Sequence, residues 1–261
     1  MSDMSDPPPP VRVSRIFPSV RPLRAYFARK ADPLTNLFLV LPLFIVYHVG
    51  VVSQVEVTPD GRYQWVGNGV DFLTGTALSL AHGNVYVYAA GAVLVTLVLT
   101  ALILWARRRT GLHPKLFIPL LVESALYAIF AAGAIGYAVD ALGLGVLDGK
   151  GFGAQVISSC GAGLHEELVF RMGLFHGGGY LLERRVSRPW LAWIFAGLVT
   201  SLIFSGVHYI GPLGDRFALS SFAFRFFLGA VFAVIYRYRG FAVAAWTHAL
   251  YDILYFVLKH T

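Results

Sequence analysis

Long apolar runs separated by short polar and basic stretches make up the chain from residue 34 onward. Seven of them, residues 34–55, 84–106, 115–140, 154–182, 190–210, 217–236 and 240–258, match the roughly 20 apolar residues that a helix needs to cross a hydrocarbon core about 30 Å thick. Val66 to Ala81 is only moderately apolar and Gly-rich, and is expected to form an interfacial or re-entrant helix. The first 30 residues are polar and basic, with Pro7 to Pro10 followed by Arg12, Arg15, Arg21, Arg24, Arg29 and Lys30. No apolar core with a small-residue cleavage site follows closely, so a cleaved signal peptide is not expected. The pattern predicts an all-α, polytopic transmembrane bundle of about seven spans. It divides into a basic segment (1–33), an N-terminal transmembrane region (34–150) and a C-terminal transmembrane core (151–261).

Composition strengthens this reading. Hydrophobic residues are 57% of the chain and charged ones 13%, with a mean hydropathy of +0.65, whereas a soluble domain carries roughly 25% charge. An aromatic share of 15% excludes a disordered tail protein. A single cysteine excludes a disulfide framework and a cysteine-based zinc cluster.

The net charge of +7 would suit nucleic acid, but its placement suits a membrane. With the N-terminus inside, 15 of the 21 Lys and Arg fall in inner segments and 4 in outer ones; Arg171 and Arg225 lie within spans. That bias predicts a cytoplasmic N-terminus and an outside C-terminus in a plasma (inner) membrane. Membrane lipids, and not nucleic acid, are the expected surroundings.

An ionisable group at bilayer depth costs about 2.5–3.5 kcal/mol on insertion scales, so each needs a reason. The spans contain Glu123, Glu166, Glu167, Arg171, Arg225, Asp252, His48, His165, His208 and His248. Eight of the ten fall after residue 154, and all of these but Arg225 lie in three clusters. In the first, at α-helical spacing, Glu167 and Arg171 are one turn apart with the acid N-terminal, the better order for an ion pair. Glu166 lies well round the helix, free of that pairing and able to face a cavity. In the second, Phe204 stands one turn before His208. In the third, His248 and Asp252 share a face, so that Asp252 is expected to hold one ring nitrogen and leave the other to act.

In chain order these clusters read EExxxR (Glu166, Glu167, Arg171), FxxxH (Phe204, His208) and HxxxN/D (His248, Asp252). The set resembles the CPBP family of intramembrane proteases, the CAAX prenyl protease type II or Abi-like group, over about residues 154 to 258. The resemblance implies a glutamic-type intramembrane endopeptidase without a cofactor. Glu166 and His208 would activate water, and His248 with Asp252 would stabilise the oxyanion. Glu167, Arg171 and Phe204 would support them. The implied substrate is a membrane-associated or exported protein or peptide. The sequence departs from the prenyl protease pattern at Asp252, where that type has Asn. A charged Asp is a poor oxyanion donor, which favours the orienting role.

Other readings use the same residues. Glu166, His208 and His248 are three conceivable zinc ligands, although H-E-x-x-H is absent because Val169 stands where the second histidine belongs. A membrane scaffold or immunity-type protein would keep the fold without cleavage. A transporter would use such groups as proton relays, but no internal repeat is visible. Cys160 reads as packing. Gly177 to Gly179 could unwind the fourth helix or merely loosen its end. Arg225 is expected to pair with Asp140, Asp148 or Asp215, and Glu123 has no assigned partner. Heights counted from the inner span ends put the clusters near or beyond the midplane, which predicts water entry from the outer face.

Overall fold

The computed structural model describes residues 26–27, 31–57, 63–65, 71–108, 112–141, 152–211 and 214–260. The chain divides into residues 1–30 and 31–261. The basic residues ahead of the first span lie outside the described residues.

All seven apolar runs are helical. They form α1 (Pro33–Ser53), α3 (Val85–Ala106), α4 (Phe117–Ala141), a composite fourth helix, α7 (Pro189–Val207), α8 (Leu219–Arg239) and α9 (Phe241–His260). The composite helix runs from α5 (Phe152–Gly161) through a π-helical segment (Ala162–His176) into α6 (Gly177–Glu183). Between α1 and α3 lie a short antiparallel pair, β1 (Val55–Val57) with β2 (Tyr63–Trp65), and the nine-residue helix α2 (Phe72–Leu80). The helix α2 falls within the stretch expected to be interfacial or re-entrant and is too short to cross a bilayer.

Among the described residues, five helices, α1, α3, α4, α7 and α8, are long and apolar enough to cross a membrane. The composite helix and α9, outside those five, carry the first and third clusters, and the second stands at the end of α7. The architecture is an all-α membrane bundle.

The last helix occupies its centre. Ala242, Val243, Ala244, Ala245, Thr247, His248 and Ala249 are all buried, and this run of small residues lets neighbouring backbones approach closely. The π segment uses that space at Gly163, where a Cβ would come within 2.5 Å of the Ala245 carbonyl oxygen. A sharp reversal feeds the chain into α9 at Gly240, whose φ of +95° suits glycine. The start of α9 is held by α1: Asn36 Oδ1 accepts from the Ala242 N–H at 2.9 Å, and Trp246 Nε1 donates to the Leu39 carbonyl at 2.8 Å.

Two expectations about this region change. Gly177 to Gly179 neither unwind nor end the helix but continue it as α6. Gly179 is there for packing, since a Cβ would meet the Trp193 ring of α7 at 2.5 Å. The irregularity lies one segment earlier, in the π turns that carry the first cluster.

Candidate active site

The π segment, α7 and α9 converge on one carboxylate. Glu166 Oε2 lies 3.9 Å from His208 Nε2 and 3.9 Å from His248 Nε2. Glu166 is 2% exposed and His248 3%. These three residues, selected from separate stretches of sequence, meet in the folded chain.

Each imidazole is fixed through its other nitrogen. His208 caps the C-terminus of α7, and its Nδ1 lies 2.7 Å from the Phe204 carbonyl oxygen. A carbonyl only accepts, so Nδ1 donates and a neutral ring turns a bare Nε2 towards Glu166. Phe204 meets the His208 ring edge-on, 5.0 Å between centroids. The loop after α7 returns to this point, with the Asp215 N–H donating to the His208 carbonyl at 2.9 Å.

His248 donates Nδ1–H to Glu167 Oε1 at 2.9 Å, and its ring stacks on Phe232 at 4.5 Å. This corrects the expected role of Asp252. Its carboxylate lies 3.6 Å from Nε2, on the same side as Glu166, so Glu167 anchors the ring and Asp252 flanks the nitrogen left over.

Glu167 also pairs with Arg171 Nε at 3.3 Å, as the sequence spacing indicates. The π geometry explains the double use. With i→i+5 bonding there are more residues per turn than in an α-helix, so less rotation separates neighbours. Glu166 and Glu167 therefore both reach His248. The Arg171 guanidinium is buried over the Phe204 ring at 4.3 Å, and its Nη2 donates to the Gly229 carbonyl at 3.4 Å.

The remaining intramembrane charges have structural partners. Arg225 pairs with Asp215 at 2.5 Å and donates to Tyr209 Oη and Ser221 Oγ; Asp148 lies outside the described residues. Glu123 receives a two-pronged bond from Arg239, at 2.5 and 3.0 Å. Cys160 is a free, buried thiol in the main core. Among the described residues, no group of three or more His, Cys, Asp and Glu side chains is disposed to hold a metal ion.

Sequence reasoning missed Asp71, which lies between the expected spans and binds His165 at 2.9 Å. Its one local signal was its place ahead of a short apolar helix, which it caps.

Fold and site together describe a membrane helix bundle whose buried centre gathers carboxylates and imidazoles around one point. Residues 150–254 match the family described as Rce1-like, type II CAAX prenyl endopeptidase. The match supports placing this chain in the CPBP group of CAAX-type intramembrane proteases, and it spans all three motifs. No curated protein and no solved structure matches the chain.

Proposed function

We propose that this protein is a glutamic-type intramembrane endopeptidase that hydrolyses a peptide bond of a membrane-associated or exported protein. The observation that carries the reading is the placing of two imidazole Nε2 atoms, each 3.9 Å from one Glu166 oxygen. That spacing is too long for direct hydrogen bonds but suits reach through one water.

A water seated there has an acceptor for each hydrogen, Glu166 Oε2 and His208 Nε2. Its oxygen attacks the carbonyl carbon as one proton passes to Glu166. His248, held as an imidazolium with Nδ1–H on Glu167, donates Nε2–H to the developing oxyanion, while Asp252 flanks that contact. Collapse breaks the C–N bond, and Glu166 returns its proton to the leaving amine. No step uses a metal.

The Lys and Arg bias supports a plasma-membrane location with the N-terminus inside. A zinc hydrolase and a non-catalytic scaffold are the alternatives that the test must separate.

Purified protein in lipid nanodiscs is incubated with membranes from cells lacking it, and new peptide termini are identified by mass spectrometry. The expected result is a small set of new termini that falls about 10²- to 10⁴-fold with Glu166→Gln and survives chelator. Unaltered cleavage by Glu166→Gln, His208→Ala and His248→Ala would overturn the reading. Loss with chelator and recovery with zinc would replace it with metal catalysis.

A further inference from the structure

A second buried polar cluster grips the π segment one residue before Glu166. His165 donates Nδ1–H to Asp71 Oδ1 at 2.9 Å, joining positions 94 residues apart. Asp71 also accepts the Thr74 N–H at 3.0 Å, as the N-cap of α2, and the Tyr47 hydroxyl from α1. The Tyr47 ring meets His165 edge-on at 5.0 Å and 89°. It also packs on Gly161, where a Cβ would fall 2.2 Å from the ring. His48, bonded to Tyr88 of α3 at 2.5 Å, lies 5.4 Å from the His165 ring. Tyr47, Asp71, Thr74, Tyr88 and His165 are all buried.

Tyr47, His48, Asp71, Thr74 and Tyr88, which reach His165 directly or through one another, all precede the family match, and the reaction above does not use them. The effect of the cluster falls on the π segment. Such wide turns have no great stability of their own and are kept where function or surroundings demand them. Three consecutive side chains leave this one towards three sets of partners. His165 reaches Asp71, Glu166 faces His208 and His248, and Glu167 reaches Arg171 and His248. Glu166 is the middle member, 3.9 Å from each imidazole Nε2. The backbone that carries it is tied on both sides by its neighbours. Glu167 fixes the segment on one side, and the bond from His165 to Asp71 fixes it on the other.

We propose that Asp71 and His165 are positioning residues of this centre, with Asp71 acting through His165 to set the rotation at which the π segment presents Glu166. The proposal rests on the reading of Glu166 as the general base.

The test uses full-length protein in nanodiscs and, as probe, a synthetic copy of the peptide that the wild type cleaves most strongly in membranes from cells lacking it. His165→Phe keeps the ring and its contact with Tyr47 but has no N–H for Asp71. His165→Asn keeps a donor near the place of Nδ1. Hydrogen–deuterium exchange across residues 162–176 is measured in parallel and needs no substrate.

The expected result for His165→Phe is a kcat lowered about 10- to 100-fold with KM within about twofold, and faster exchange in the π segment. His165→Asn recovers most of both. Asp71→Ala behaves like His165→Phe, and the double variant is no worse than either single one, because both remove the same tie. A folded His165→Phe with wild-type kcat and wild-type exchange overturns the proposal. Asp71→Asn keeps Oδ1, and with it an acceptor for both His165 and the Thr74 N–H, so it should fold and retain most of the wild-type kcat and exchange; a loss there as large as that of Asp71→Ala overturns the proposal equally. Undiminished cleavage by Glu166→Gln would strike the catalytic reading instead, and the exchange result would then decide the tie by itself.

Discussion

Glu167 carries two partners, the Arg171 guanidinium and the Nδ1–H of His248, and a substitution there separates them. Glu167→Gln keeps an oxygen for the imidazole but leaves a buried guanidinium without its counter-charge. Breaking one side of a buried ion pair costs about 3–5 kcal/mol, so this variant is expected to unfold at clearly lower temperature in detergent. Asp252 is a quarter exposed at its side chain and anchors nothing at Nδ1. Asp252→Asn is therefore expected to cost less than about 1 kcal/mol. Thermal unfolding of the two variants side by side checks the difference, and equal losses would contradict the anchoring role given to Glu167. The pairing of Glu167 with Arg171 was readable in the sequence because both lie on one helix. The bond to His248 was not, because 81 residues intervene. The same holds for Glu123 and Arg239, whose contact spans 116 positions.

Helical position follows from apolar length, which is why all seven runs appear where hydropathy puts them. Helix type does not follow from it. The π turns of Ala162–His176 meet α9 at Gly163, His208 at the end of α7 through Glu166, and Asp71 through His165, and nothing in their composition separates them from an α-helix. Rotations counted at α-helical spacing thus could not show that Glu166 and Glu167 both reach His248.

Local signals hold better at the ends of elements. Asp32 caps α1, accepting from the Thr35 N–H at 2.9 Å and the Thr35 hydroxyl at 2.5 Å, and Pro33 takes the first turn, where its missing N–H is harmless. Asp32→Ala is expected to cost about 1 kcal/mol, seen as faster amide exchange in the first turn of α1. Burial pushes the Asp32 carboxyl up, but the bonds from Thr35 outweigh it and hold it below its ordinary value of 3.8. A carboxyl lowered on folding stabilises above its unfolded value and loses that contribution as pH falls through its folded value. The first turn of α1 should therefore loosen as pH drops below about 4. Exchange corrected for its intrinsic pH dependence measures this, and Asp32→Asn, still a good cap, should not show it.

For the whole molecule, charge and span order predict that the α7–α8 loop faces outward and the α6–α7 loop inward. Ser187 and Ile210 are both exposed, and the native Cys160 is buried. A cysteine at Ile210 should react with a membrane-impermeant thiol reagent in intact cells, and one at Ser187 should not. The reverse pattern would sink both the topology and water entry from the outer face. The grip of α1 on α9 adds a matter of timing. Asn36 must wait for Ala242, 206 residues later, which at ribosomal speeds of 5–20 residues per second is roughly 10–40 s. Glu166 and His208 enter the membrane before their third partner is made. On the catalytic role proposed for His248, a nascent chain halted before Phe241 should be unable to cut its neighbours in the translocation machinery. Supplying α9 as a separate peptide to such a truncated chain should start cleavage, with an onset set by helix docking instead of translation.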